Sequence, residues 1–225
     1  MIFDIIRNGF SIQTLVNLMA RVFVVFCILP VHEYAHALVA SKLGDDTARL
    51  QGRLTLNPLA HLNPIGALMI FLVGFGYANP VPVNARNFKD PKKGMAITAA
   101  AGPISNLILA VLMALIAQGC RVWYVHSPVT VANVSYLFFY YAGYINVSLA
   151  VFNLIPIPPL DGSRILSLFL PSKYYFKIMQ YERYIMIAIF VLLLTGALST
   201  PLNALMTIIY KGILWLTSLP FSFIS

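Results

Sequence analysis

The residues of this sequence with the clearest chemical potential are His32-Glu33-Tyr34-Ala35-His36, which lie inside a long apolar run. On a helix, residues four positions apart share a face, so His32 and His36 can direct two imidazole nitrogens at one metal ion. Glu33 lies one step round the helix and can reach a water molecule on that ion as a general base. Because ionisable groups are rare in lipid without a function, the pattern predicts zinc-hydrolase chemistry.

The composition places this chemistry in a membrane. Of the 225 residues, 60% are hydrophobic and 10% are charged, whereas soluble domains are usually about half apolar and about a quarter charged. We therefore expect an all-α integral membrane protein with a bundle of about five transmembrane helices. Residues 1–225 are interpreted as one polytopic domain without an appended soluble module, with a catalytic core at about 14–170 and C-terminal helices at about 180–219.

The net charge of +8 comes from 15 basic against 7 acidic residues, and its distribution indicates topology rather than a nucleic acid partner. Eleven basic residues lie within 42–93 and 164–183, whereas the opposite side holds Arg7 and Arg121. Basic residues accumulate in cytoplasmic loops. We therefore expect these two segments to be cytoplasmic, which places the histidine pair and Asp161 near the cytoplasmic end of their helices.

The apolar segments predict where the chain crosses the membrane. The segment 202–219 is apolar but is interrupted by Lys211, and the sequence leaves open whether this segment spans the membrane. Pro30 predicts a kink in the first helix because proline removes a backbone donor. The segments predicted as spans are about 12–42, 94–118, 131–155 and 184–198.

The connection between the first two spans carries different signals. Residues 49–64 alternate briefly around Leu54 and Leu56, which predicts a short strand followed by turns. Residues 65–78 are apolar but too few for a span, so they predict a re-entrant or interfacial element.

A catalytic zinc ion usually has three protein ligands and an open position, so the histidine pair needs a third partner. Among the 7 carboxylates, Asp161 is the one that follows a proline-broken segment at membrane depth. Non-helical backbone at membrane depth is tolerated where its polar groups are buried in protein or line a water-filled cavity. We predict that this broken helix carries the third ligand, and the alternative is that Asp161 caps the helix that follows.

Four further polar residues are candidates for contact with a substrate. Asn106 and Asn153 lie within apolar spans, where an amide either joins two helices or donates to a substrate carbonyl. Asn57 and His61 lie in the first connection, where both are substrate-binding candidates. The alternative for His61 is a structural role at a turn.

Three segments of the sequence together resemble the site-2 protease family of intramembrane zinc metalloproteases. The resemblance implies one zinc ion per chain, held by His32, His36 and Asp161, with Glu33 as general base and Asn153 assisting the substrate carbonyl. The segments that carry it are His32–His36, Gly102–Asn106 and Asn153–Gly162.

The same resemblance implies a function and a setting. The substrate would be a single-span membrane protein, cleaved within or beside the bilayer by metal-activated water. The use would be regulated intramembrane proteolysis or clearance of signal remnants. A membrane-associated β element within 50–84 would hold the unwound substrate as an added strand, and Gly102–Asn106 would pack beside the histidine helix. The expected location is a prokaryotic plasma membrane with the site toward the cytoplasm.

Two other classes of protein compete with this interpretation. A non-proteolytic membrane chaperone or metal-ion transporter could retain the metal site, although a transporter should show broken helices in corresponding halves and no internal repeat is visible. A prenyl-protein type of membrane zinc protease needs a later glutamate ligand, for which only Glu182 is available. The substrate's identity and the oligomeric state are not readable from the sequence.

Overall fold

The structure, a computed structural model, describes residues 11–66, 68 and 79–223. The described part is dominated by helices and contains no strand, which confirms the predicted all-α class. The helices used below are α1 (Ile12–Lys42), α2 (Thr47–Leu50), α3 (Pro58–His61), α4 (Pro91–His126), α5 (Thr130–Asn153), α6 (Asp161–Leu166), α7 (Ser172–Met179), α8 (Glu182–Leu194) and α9 (Ser199–Ser218).

Within the described residues, four helices are long and apolar enough to cross a membrane, where the sequence predicted about five. They are α1, α4, α5 and α9 with its 3-10 extension to Phe221. Helix α8 has only 13 residues and is about 20 Å long, well short of an about 30 Å hydrocarbon core. Helix α8 ends at Leu194, so it is shorter than the span predicted at 184–198, and the chain turns near Gly196, whose φ is +78°.

Helix α1 passes Pro30 by way of a π-helical turn. Residues Val24–Ile28 form this turn, and the N–H of Leu29 donates to the carbonyl of Val24. A proline lacks an N–H and its ring clashes with the carbonyl four residues earlier, so a wider turn just before Pro30 accommodates it. The kink predicted at Pro30 appears as this π turn, and the histidine motif follows it in regular α-helix.

The first half of α1 packs against α4 and α5 to form one apolar core. Helix α9 covers the other side of α4 and α5, where the Tyr210 hydroxyl donates to the Tyr140 carbonyl at 2.7 Å. Branched and long apolar side chains make up most of the first core, and Ala20 on α1 and Ala142 on α5 are its small members. Its buried members include Ala20, Val24, Ile28, Met113, Ala142 and Leu149.

The connection between α1 and α4 does not form the predicted short strand. Leu54 lies in a bend, and Leu56 is followed directly by the cap of α3, where the Asn57 side chain accepts the N–H of Leu59 at 3.1 Å. A helix that begins at Pro58 ends the alternation too early for a strand to extend. The β element expected within 50–84 is absent from the residues described there, and the element predicted for 65–78 lies largely outside the described residues.

Asp45 fixes this connection to the end of α1. Its carboxylate is fully buried and accepts hydrogen bonds from the backbone N–H of Asn84 and the amide of Asn87, both at 2.7 Å, and from the N–H of Thr47 at 3.2 Å. Burial raises the pKa of the Asp45 carboxyl. The hydrogen bonds, of which that from the Thr47 hydroxyl has the largest effect, lower this pKa by more than burial raises it. The net pKa lies below the ordinary value, so the ionised form stabilises this arrangement.

Candidate metal centre

Two helices bring three potential metal ligands together. His32 and His36 lie one turn apart on α1, and their Nε2 atoms are 3.1 Å from each other. Asp161 begins α6, and its Oδ2 lies 3.4 Å from the Nε2 of His32 and 3.3 Å from that of His36. These atoms form a group that could hold a metal ion.

The donor set and its spacing fit zinc. Zinc takes imidazole nitrogen and carboxylate oxygen at about 2.0–2.2 Å, with tetrahedral angles, so the donors of one ion lie about 3.3 Å apart. The three separations of 3.1–3.4 Å have this size. All three side chains are largely buried, and the triad leaves one tetrahedral position for water or substrate.

The position of Asp161 depends on the break after α5. Helix α5 ends at Asn153, and α6 begins at Asp161 after a short proline-rich turn. Gly162 lets α6 pack against the end of α5, because a Cβ there would lie 2.2 Å from the Leu154 carbonyl oxygen. The N-cap of α6 is Leu160. The Asp161 carboxylate therefore contacts the histidines rather than capping the helix, which removes the alternative left open by the sequence.

Helix α4 contacts both imidazoles at their Nδ1 atoms. The Nδ1 of His36 lies 2.7 Å from the Thr98 carbonyl oxygen, and the Nδ1 of His32 lies 3.1 Å from the Asn106 amide. Gly102 lies between them, and a Cβ there would be only 2.3 Å from the Nε2 of His36. The predicted packing of this motif beside the histidine helix is confirmed, whereas the contact of the Thr98 backbone had no signal in the sequence, since every residue has a carbonyl.

Glu33 is held by a backbone donor from the connection before α4. Its Oε2 accepts the N–H of Val81 at 3.2 Å, and both residues are buried. Val81 stands between Pro80 and Pro82, which have no N–H, so it is the one backbone donor of this tripeptide. Sequence reasoning missed this contact, although a single N–H between two prolines was a signal that could have been noticed.

The remaining predicted site residues have other partners. The Asn153 amide donates to the Leu149 carbonyl in its own helix at 3.0 Å, and His61 is buried with its Nε2 2.8 Å from the Thr55 carbonyl. Asn57 is the exposed cap of α3. The contact of His61 supports its structural alternative. Catalytic or substrate-binding roles for these residues and for Asn106 stay predictions.

Comparison with known proteins identifies the family of the chain. The sequence matches the profile of Peptidase family M50 over residues 20–196. It is 43% identical over 164 residues to the "Putative zinc metalloprotease YwhC" of Bacillus subtilis (strain 168), which covers 73% of this chain and 75% of that protein. It is 32% identical over 139 residues to the "Putative zinc metalloprotease Rip2" of Mycolicibacterium smegmatis, which covers 60% of this chain and 51% of that protein.

A more distant relative is the "Zinc metalloprotease MJ0392" of Methanocaldococcus jannaschii, 27% identical over 175 residues, or 77% of this chain and 41% of that protein. No solved structure matches the chain significantly. The chain belongs to Peptidase family M50, the site-2 protease family. It is an integral multi-pass membrane protein and a zinc-dependent metalloprotease.

Proposed function

We propose that this protein is an intramembrane zinc endopeptidase that cleaves single-span membrane proteins. Its zinc ligands are His32, His36 and Asp161, and Glu33 is the general base. The observation that carries the proposal is the convergence of three donor atoms at 3.1–3.4 Å, next to Glu33, on a helix of 31 residues that is long and apolar enough to span a membrane.

A zinc ion held by His32, His36 and Asp161 would lower the pKa of a water molecule to about 7 and would polarise the scissile carbonyl. The Glu33 carboxylate accepts the proton of the attacking water and passes it to the leaving nitrogen. The N–H of Val81 donates to one oxygen of this carboxylate and so restricts its orientation. Glu33 is only 8% exposed, so little bulk water competes for the proton.

The location of the site constrains the substrate. The peptide groups of a membrane helix are hydrogen-bonded to each other, so an intact helix shields its carbonyls from attack. We therefore propose that the substrate unwinds locally and is cleaved near the end of its span. The histidines lie in the second half of α1, toward the basic connection, and the positive-inside rule supports a cytoplasmic position for this end.

The biological setting follows from the same argument. Cleavage at this depth frees a cytoplasmic fragment, which suits the release of a membrane-held regulator or the clearance of signal remnants. The relatives named above come from prokaryotes, which supports a location in a prokaryotic plasma membrane.

The test is cleavage of a reporter single-span protein reconstituted with the purified enzyme in liposomes. We expect a cleaved product with the wild type and none with Glu33→Gln. Glu182→Gln is the matched control, because Glu182 lies on α8 and is not a member of the metal-holding group found among the described residues. Equal cleavage by wild type and Glu33→Gln would contradict the proposal, and loss of cleavage in Glu182→Gln would favour the prenyl-protein type of site. Substrate binding without cleavage in the wild type would favour a chaperone.

A further inference from the structure

We propose that Asn106 is a positioning residue that selects the tautomer of His32 with its side-chain carbonyl oxygen. The proposal rests on the proposed function, because it takes His32 as a zinc ligand. It adds a residue on a second helix that prepares this ligand for the ion.

The geometry assigns different tasks to the two nitrogens of His32. Its Nε2 faces the Nε2 of His36 at 3.1 Å and the carboxylate of Asp161 at 3.4 Å, so this is the atom that a metal would meet. Its Nδ1 faces the Asn106 amide at 3.1 Å. His32 is 4% exposed and Asn106 is fully buried, so bulk water does not compete for this contact.

Coordination through Nε2 determines what the other nitrogen must do. A neutral imidazole has one N–H, and the nitrogen that binds a metal presents its lone pair. The proton of His32 is then on Nδ1, and a buried N–H needs an acceptor. An asparagine offers an oxygen acceptor on one side of its amide and an NH2 donor on the other.

The surroundings of Asn106 decide which side of the amide faces His32. With the nitrogen toward the ring, the amide NH2 and the Nδ1–H of a metal-binding His32 would be two donors facing each other at 3.1 Å. The nitrogen and oxygen of such an amide are distinguished by their hydrogen bonds. We therefore assign the amide with its oxygen toward His32, where it accepts the Nδ1–H.

The arrangement at His36 supports this assignment. Its Nδ1 donates to the Thr98 carbonyl oxygen at 2.7 Å, eight residues before Asn106 on the same helix α4. Both histidines then donate to an oxygen of α4, and Gly102 lies between the two contacts, where a side chain would collide with both rings. Acceptors of this kind fix the orientation of metal-binding histidines and increase their basicity. One acceptor is backbone, so Asn106 is the one that a substitution can remove.

The experiment measures zinc affinity by competition with a chelator, using full-length protein in detergent. Asn106→Leu has a similar volume and no acceptor, and we expect zinc binding about 10–100-fold weaker. Asn106→Asp keeps acceptor oxygens and loses the NH2 group, so we expect affinity near that of the wild type. The matched control is Asn146→Leu on α5, because Asn146 is also fully buried with an unpartnered Oδ1 among the described residues, and no change in affinity is expected.

Cobalt(II) in place of zinc gives a readout that overall stability does not move. We expect Asn106→Leu to shift the visible absorption of the bound cobalt ion and Asn146→Leu to leave it unchanged. Equal weakening in Asn106→Asp and Asn106→Leu would overturn the proposal, as would wild-type affinity in Asn106→Leu. If His32→Ala leaves zinc binding unchanged, the proposed ligand set fails as well; if it abolishes binding while Asn106→Leu does not, only the present proposal fails.

Discussion

At the scale of single residues, the site depends on a glycine that has no Cβ and on two prolines that have no N–H. Gly102 has no Cβ, and this is why α4 can approach the two imidazoles closely enough for its Thr98 carbonyl and Asn106 amide to contact them. Pro80 and Pro82 have no N–H, and the remaining donor, from Val81, is used by Glu33. Both features can be tested by a single substitution, one at Gly102 and one at Val81.

The first substitution is Gly102→Ala. Its Cβ would lie 2.3 Å from the Nε2 of His36 and 2.6 Å from that of His32, so α4 or the rings must move. We expect weaker zinc binding and a loss of cleavage on the order of 100-fold, as small misplacements in active sites produce. Gly119→Ala on the same helix is the control, because a Cβ at Gly119 would lie 3.9 Å from the ring of Phe221, an ordinary van der Waals distance. Similar zinc affinity and cleavage rates in the two variants would contradict the described approach of α4.

The second substitution is Val81→Pro, which removes the N–H that holds Glu33. A proline fits an extended, proline-flanked segment, and no potential metal ligand is touched. We expect unchanged zinc content and a cleavage rate lowered roughly 10-fold, a part of what a general base contributes. Val81→Ala keeps the N–H and should cleave at nearly the wild-type rate. If Val81→Pro is as active as Val81→Ala, this hydrogen bond does not orient the base.

At the scale of the elements, the sequence predicted those parts of the site that periodicity encodes. The four-residue spacing of His32 and His36 predicted one helix face, and the break before Asp161 predicted an irregular segment that returns to it. The contact of Val81 with Glu33 joins residues 48 positions apart, so it depends on the path of the connection rather than on a local pattern. The sequence did not predict the end of α8 at Leu194, because the apolar run continues to Leu198. The chain turns at Gly196, which has a positive φ.

The same connection gives a pH-dependent prediction through Asp45. Because the folded-state pKa of this carboxyl lies below its ordinary value, its contribution to stability is present above about pH 4. It is lost as the pH falls through the folded-state pKa. We expect Asp45→Asn to lower the free energy of unfolding by about 1–3 kcal/mol at pH 7, since one acceptor oxygen is replaced by an NH2 group that faces a buried donor.

This prediction is measured by thermal unfolding in detergent across the acidic range. The difference between wild type and Asp45→Asn should narrow below about pH 4. Asp46→Asn is the control, because Asp46 is exposed beside it and accepts one hydrogen bond from Ser41. A constant difference at all pH values would contradict the role given to the Asp45 charge.

At the scale of the whole molecule, the number of spans determines where the C-terminus lies. The last turns of α9 and its 3-10 extension lie beside the end of α4. Together they line a cavity of about 260 Å³, whose lining residues include Gln118, Arg121, Ser218 and Phe221. Residues near 220 and residues near 126 are therefore at one end of the bundle. With α1, α4, α5 and α9 as spans, both lie on the side opposite the basic connections.

A reporter fused after Ser225 tests this arrangement. We expect alkaline phosphatase fused there to be active and green fluorescent protein to be dark, because both report an extracytoplasmic position in bacteria. The same reporters inserted in the 86–93 segment should give the reverse pattern. A fluorescent C-terminal fusion would contradict four spans and favour five, since an additional crossing by α8 would reverse the last helix.

The central claim is that His32, His36 and Asp161 form one zinc site, and the most direct measurement is the zinc content of the detergent-purified protein. We expect about one zinc per chain in the wild type, as three ligands and one open position imply, and strong depletion in both Asp161→Ala and the His32→Ala, His36→Ala double variant. Zinc that is retained in folded Asp161→Ala would contradict the joint site, and a folded wild type that binds no zinc would contradict the account of catalysis.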